Sequence, residues 1–333
     1  MTAGIFACVH AAGPLEEVRM SCPTCESPDS EVVSEADRHN KPLTTRMCLG
    51  CGLVYNDPIP SDAELSDFYT NRYRVEYKGA YHPRGRQIVR NFRRVRDHFD
   101  TFGDVIRQAG FVLDVGAGSG EFLFAVAAQA DAIGIEPNQS YADYCRSQLH
   151  LDVRTDELRP DLFAREQFDF IRLNHVLEHL NDPVGSLRMI AGFLKPNGVF
   201  YVEVPNIEQY SALKSTGNMF HYGHIFNFNP FTLRAAAGLA GLVEIEATRE
   251  RCANTTGVFL QKTDSPWTSA QTRNRENANR VKQAIEGHFA AKPVAEKLSR
   301  LGRLKTKLQL RAGETMVSLR HKNPAEIGRA ILR

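Results

Sequence analysis

FVLDVGAGSGEFLFAVAAQADAIGIE, residues 111–136, reads as strand, glycine-dense turn, helix and second strand. Phe111–Val115 is a short apolar run suited to burial on both faces of a parallel sheet. Gly116, Gly118 and Gly120 let the backbone turn sharply and come close to a ligand with no Cβ in the way. Glu121–Gln129 is the expected crossover helix and Ala132–Ile135 the next strand. Glu136 follows Gly116 by twenty residues, where an acid at a strand tip accepts hydrogen bonds from ribose hydroxyls. The stretch is therefore a nucleoside-binding βαβ unit.

Which nucleoside follows from the charges. A dinucleotide fingerprint needs G-x-G-x-x-G, but here the third glycine arrives at Gly120 and Glu121 takes the last position. A carboxylate at a helix start competes with a pyrophosphate for the positive helix end. S-adenosylmethionine has no phosphate, so Asp114 and Glu121 are tolerable beside it. The run D-x-G-x-G-x-G-E resembles motif I of the class I S-adenosylmethionine methyltransferases. A glycine turn in an unrelated α/β protein is the alternative. The resemblance places the cofactor against Asp114, Gly116, Ala117, Gly118, Gly120, Glu136 and Pro137.

Upstream, Cys22-Pro-Thr-Cys25 and Cys48-Leu-Gly-Cys51 frame 22 residues. Each C-x-x-C forms a knuckle that points two thiolates at one centre, and two knuckles complete a tetrahedral zinc site. With all four positions filled by Cys22, Cys25, Cys48 and Cys51 no open position remains, so one structural zinc ion per chain is expected, in a zinc ribbon. Redox chemistry is the rival reading of these pairs. Cys8, Cys145 and Cys252 read as buried small side chains. Ser61-Asp-Ala-Glu64 is a capping box opening a short helix. Tyr69, Tyr73, Tyr77 and Tyr81 recur every four residues, as a packed helix face or as a lid of phenols. Arg84–Gln108 is a basic amphipathic helix leading into the organising strand.

Downstream, the pattern predicts a helix over Pro137–Leu149 and strands over Leu151–Arg154, Phe168–Leu173 and Gly198–Val204. A helix is expected to begin within Asn174–Leu180, another after Asp182-Pro183, and a turn at Lys195–Gly198. Leu242–Ala247 and Val258–Lys262 read as an antiparallel closing pair. The phrase HVLEHL-x-DP resembles the branch with ubiquinone-pathway O-methyltransferases and sugar methyltransferases. A ribbon followed by a tyrosine-rich segment resembles the deoxysugar C-methyltransferases and their glycan-cluster relatives. The resemblance, over about residues 21–262, implies an α/β, Rossmann-like seven-stranded class I methyltransferase sheet, carrying here a small N-terminal zinc ribbon and a helical C-terminal tail. It also implies that Asp156 meets the adenine and that Asn174 and His175 line the cofactor.

Methyl transfer from a sulfonium is an in-line displacement whose leaving group is already good, so the enzyme aligns the acceptor and removes its proton. Histidine suits that task near neutral pH. His221-Tyr-Gly-His224 resembles the loop of sugar C-methyltransferases that carries a Glu-His pair, with Gly223 where the glutamate would stand. His224 is thus the candidate base, with His221 and His179 as further acceptor contacts; loop histidines bonded to backbone are the alternative. The chain also ends in a helical tail where the sugar enzymes continue into a second α/β domain. Strand four lacks the Asn/Asp-Pro-Pro-aromatic run of base-amine methylating enzymes.

With 333 residues, 42% hydrophobic and 24% charged, the chain has the composition of a soluble globular protein. Its net charge of +2 hides an asymmetry: residues 271–333 carry +10, leaving −8 elsewhere. The tail's stripe of Leu298, Leu301, Leu304 and Leu308 between basic residues fits docking on the catalytic domain, a membrane surface, RNA or a neighbouring subunit. The division expected is 1–60 leader and ribbon, 61–108 helical tyrosine-rich lid or linker, 109–263 cofactor domain and 264–333 basic helical tail. Partners expected are a small-molecule or glycan acceptor, with nucleic acid less favoured, in a monomer or homodimer. No run approaches the ~20 apolar residues of a membrane span, and the start lacks a basic n-region. With metal-type cysteines this suggests the cytoplasm, at the inner membrane face if the tail meets lipid.

Overall fold

The computed structural model describes residues 20–68, 83–210, 219–245, 254–321 and 323–333. Three strands open it: β1 (Ser30–Ala36), β2 (Pro42–Cys48) and β3 (Val54–Asn56). Helix α1 (Asp62–Asp67) starts at Ser61, whose side chain and Glu64 close the expected capping box. Helix α2 (Gly85–Arg107) leads into β4 (Phe111–Val115), α3 (Glu121–Val126), β5 (Asp131–Ile135), α4 (Gln139–Leu149) and β6 (Val153–Arg154). The chain then crosses back through β7 (Phe168–Asn174), α5 (Pro183–Phe193) and β8 (Leu194–Pro205). It closes with β9 (Phe226–Asn227), α6 (Pro230–Leu239), β10 (Leu242–Glu244), β11 (Thr255–Lys262), α7 (Arg275–Arg320) and α8 (Pro324–Leu332).

The main sheet has seven strands in the order β10-β11-β8-β7-β4-β5-β6, parallel from β8 to β6 with β11 antiparallel to β8. This is the seven-stranded, Rossmann-like sheet that the resemblance implies. Its parallel strands bury apolar side chains on both faces, as Val112, Leu113, Ile133, Phe170 and Ile171 show. From β4 the chain builds outward to β6, then returns to the other side of β4 for β7. A ligand crevice belongs at such a switch point, beyond the strand carboxyl ends.

Several boundaries differ from the sequence reading. The crossover helix stops at Val126, and the third strand shrinks to Val153–Arg154. No α-helix begins within 174–180. His175 takes a left-handed conformation, φ +55°, which a helix cannot continue, and only a 3-10 turn, Leu177–His179, follows. The expected turn at Lys195–Gly198 lies within β8, where pairing with β7 jumps from Phe168↔Leu194 to Phe170↔Val199. β11 starts three residues earlier than expected, at Thr255.

The second sheet is β1-β2-β3-β9. Its last strand comes from far along the chain: Val54 pairs with Asn227 and Tyr55 with Phe226. The first turns of α7 seat on the same sheet. Asn277 Nδ2 donates to the Cys51 carbonyl at 2.7 Å, Arg273 Nε to that of Cys25 at 3.2 Å, and Lys282 pairs with Glu31 at 2.8 Å. At the other end of α7, Glu314 holds Arg90 of α2 in a two-pronged pair at 2.8 and 2.9 Å, and the buried Ile327 of α8 joins the cluster around Phe92. The tail thus docks on its own chain at both ends. The stripe Leu298, Leu301, Leu304 and Leu308 lies on α7, but its side chains, like Tyr69, Tyr73, Tyr77 and Tyr81, fall outside the described residues. Among the described residues no helix is long and apolar enough to cross a membrane.

Candidate active site

The glycine bend follows β4. Gly116 has φ +73°, and a Cβ there would meet Val176 Cγ2 at 2.5 Å. Gly118 has φ +57° and faces open space, with nothing within 4 Å of a would-be Cβ, so the bend leaves room beside its backbone. Gly120 caps α3, and Ala117 is buried under it. Glu136, at the tip of β5, lies across the bend: Oε2 accepts from the Gly118 amide at 2.8 Å and Oε1 from the Asn138 amide at 3.1 Å. Pro137 follows directly. The structure thus brings Gly116, Ala117, Gly118, Gly120, Glu136 and Pro137 to one place.

Asp114 is fully buried beneath the bend. Arg172 of β7 pairs with its Oδ1 at 3.0 Å, while Oδ2 has no hydrogen-bond partner. Burial pushes the Asp114 carboxyl upward, against the pull of Arg172. Arg172 also stacks over the Phe122 ring, 4.2 Å from its centroid. The Asp114–Arg172 pair escaped the sequence reading, although Arg172 in the middle of the strand run FDFIRLN signalled it. Glu121, likewise buried and raised by burial, is held by Ser119 at 2.8 Å and Asn91 at 3.1 Å. Asp156 lies just past β6 and is bound by Arg159 and by the Glu157 amide at 2.9 Å.

Across the switch point, the end of β7 carries Asn174 and His175. Asn174 Oδ1 is buried without a hydrogen-bond partner, so it is available to a ligand. The His175 amide donates to the Glu203 carbonyl at 2.8 Å, which fixes its left-handed turn. Its ring stands between two acids, with Nδ1 3.4 Å from Glu178 and Nε2 3.6 Å from Glu203. Burial opposes charge on this ring, but the two carboxylates outweigh it and raise its pKa. Glu203, near the end of β8, accepts from Tyr201 at 2.5 Å and faces His98 of α2 at 3.6 Å, a link between distant segments that no local motif marks.

The candidate acceptor histidines gather here too. Glu178 Oε1 is 3.8 Å from His179 Nε2 and 4.0 Å from His224 Nε2. His179 Nδ1 bonds to the Gly223 carbonyl, and the His221 ring leans against that of His224, tilted by 47° with centroids 3.8 Å apart. Burial, then the neighbouring His221 and His179, holds His224 well below the ordinary imidazole range, so its ring is neutral at pH 7. Glu178 thus faces His224 from another element of the chain. At Gly223 a Cβ would lie 3.1 Å from the Phe68 ring, which would have to yield by a few tenths of an ångström.

The four ribbon cysteines converge as the knuckles require. Cys25 and Cys48 sulfurs stand 3.4 Å apart and Cys22 and Cys51 3.7 Å, and all four lie within 4.8 Å of one another. A tetrahedron of ~2.3 Å zinc–sulfur bonds has edges of about 3.8 Å, so the set fits. Gly50 N donates to Cys48 Sγ at 3.3 Å and Leu53 N to Cys51 Sγ at 3.5 Å, bonds that favour thiolates.

Residues 87–247 match the family model described as a methyltransferase domain, just under half of the chain. Among curated relatives, the ubiquinone biosynthesis O-methyltransferase of Bradyrhizobium diazoefficiens is 36% identical over 105 residues, covering 28% of this chain and 40% of that protein. The tRNA U34 carboxymethyltransferase of Desulfotalea psychrophila is 30% identical over 128 residues, covering 35% and 38%. The chain spans about two-fifths of the length of these relatives. A solved 1,6-didemethyltoxoflavin-N1-methyltransferase of Burkholderia thailandensis aligns with TM-score 0.45 at 18% identity, over 64% of this chain and 96% of that one. Residues 87–247 carry a methyltransferase domain.

Proposed function

We propose that the whole protein transfers a methyl group from S-adenosylmethionine to a hydroxyl or acidic C–H of a sugar or glycan-type acceptor. The observation that carries this reading is the meeting of two unlike halves at one switch point. On one side lie an open glycine bend and an acid at the next strand tip. On the other lies a histidine cluster around a buried carboxylate.

In this reading Glu136 receives the ribose hydroxyls, Asp114 Oδ2 and Asn174 Oδ1 face the amino-acid end, and Asp156 meets the adenine. The acceptor oxygen or carbon attacks the methyl carbon in line as the sulfur–methyl bond breaks. S-adenosylhomocysteine leaves, and the acceptor's proton passes to the histidine cluster, where the neutral His224 is the candidate base with His221 and His179 beside it. The sugar assignment rests on the resemblance of the ribbon and the 221–224 loop to sugar methyltransferases, with Glu178 in the role of the absent loop acid.

One structural zinc ion in the Cys22–Cys25–Cys48–Cys51 site belongs to the proposal. It would hold the ribbon against β9 and take no part in the transfer. A second reading, RNA methylation with ribbon and basic tail gripping phosphates, is favoured by the tRNA-modifying relative. Labelled methyl donor incubated with nucleotide sugars, extracted glycolipid and total RNA separates the two. Label in a sugar pool supports the first reading; label in RNA alone, falling steeply with salt, overturns it for the second.

A further inference from the structure

Glu178 is 1% exposed; His175 Nδ1 stands 3.4 Å from its Oε1 and offsets part of its charge, but neither carboxylate oxygen accepts a well-formed hydrogen bond. A buried carboxylate left this way costs several kcal/mol unless something positive stands beside it. The groups around it turn nitrogens inward. His179 Nδ1 meets the Gly223 carbonyl, which can only accept, so Nδ1 carries a proton and the neutral ring turns its Nε2 lone pair toward Glu178. His224 has Nδ1 3.4 Å from the Tyr210 hydroxyl and likewise presents Nε2. Carboxylate oxygen and two ring nitrogens thus converge, each ring fixed from behind by an oxygen, as in sites where outer bonds orient metal-binding imidazoles.

From this geometry we infer that Glu178, His179 and His224 bind a divalent transition-metal ion, a second metal site distinct from the cysteine set. The three donor atoms lie within 4.8 Å of one another. Nitrogen and oxygen ligands at ~2.0–2.1 Å give edges of about 2.9–3.4 Å, so the 3.8 and 4.0 Å separations close by several tenths of an ångström on binding. Two imidazoles and one carboxylate suit zinc, iron(II) or cobalt(II) better than magnesium or calcium, which prefer oxygen. Three protein ligands leave positions open to an acceptor. This rests on the function proposed above and refines it: with the ion bound, His224 would be a ligand instead of the base, and the ion would lower the pKa of a coordinated acceptor hydroxyl so that its proton could pass to solvent near neutral pH.

The test uses the full chain with its cysteine site already filled by zinc, so that added metal reads only the new site. Calorimetric titration with Zn²⁺ should show one further equivalent per chain. Glu178→Gln should weaken it at least tenfold, while the cysteine-bound zinc and S-adenosylmethionine affinity stay as in the wild type. In case that variant fails to fold, the wild type is loaded with Co²⁺ and its cobalt edge spectrum recorded; a shell of imidazole nitrogen and oxygen without sulfur is expected. No further equivalent, undiminished uptake by Glu178→Gln, or a sulfur shell would overturn the site. Loss of S-adenosylmethionine binding with the second equivalent intact would instead overturn the methyltransferase reading alone.

Discussion

Asn56, the last residue of β3, donates its side-chain amide to the carbonyl of His224 at 3.3 Å and to that of Tyr222 at 3.4 Å. Its own backbone amide donates to the Ile225 carbonyl at 2.9 Å. The ribbon therefore holds the acceptor loop, 168 positions away, by three bonds from one buried residue. Asn56→Ala leaves two carbonyls short of a donor, at a cost of about 1–3 kcal/mol. Turnover should fall several-fold with S-adenosylmethionine affinity unchanged, as measured by steady-state kinetics beside calorimetry. Equal loss of both would show that the loop and the cofactor crevice are not separable.

Metal removal should act through the same connection. The cysteine knuckles, β3 and β9 form one continuous unit, capped by Asn277 of α7 and by Arg273 just before that helix. Chelation, or Cys25→Ser, is expected to release one zinc ion per chain, lower the melting temperature and depress turnover, with cofactor binding retained. Retained turnover in metal-free protein would detach the ribbon from the site.

Glu136→Ala removes a carboxylate that two backbone amides already orient. Loss of hydrogen bonds to a charged acceptor, about 1.5–3 kcal/mol, corresponds to roughly 10–100-fold weaker S-adenosylmethionine binding. Unchanged calorimetric affinity would remove Glu136 from the ribose.

Protonation of His224 is opposed by its burial and by its histidine neighbours. Its folded pKa lies below the ordinary 6.5, so between the two values the unfolded chain takes up a proton that the folded chain does not. The stability from the neutral ring is full above about pH 6.5 and is lost as pH falls toward the folded pKa. In protein whose Glu178–His179–His224 cluster holds no ion, where His224 is the base, the acid limb of turnover should likewise fall below pH 6.5, and His224→Ala should abolish that limb along with most activity. A limb centred at or above 6.5 would contradict the assignment.

Much of the cofactor half was legible because it is local. The βαβ unit, its glycines and Glu136 fall within 26 consecutive residues, and apolar runs marked β4, β5, β7 and most of β8. The acceptor half was less so, since it is assembled from distant segments. Nothing near Asn56 announces that it holds His224, and β9 is only two residues long. His175 and Glu178 looked like a helix start because their spacing fits one; the left-handed turn at His175 instead aims Glu178 inward.

The central claim is that the open bend beside Gly118 receives S-adenosylmethionine. Calorimetric titration of the full chain with S-adenosylmethionine and, separately, with NADH tests it most directly. One equivalent of S-adenosylmethionine per chain and no heat from the dinucleotide is the predicted result. Silence toward S-adenosylmethionine, or binding of NADH in its place, would contradict it.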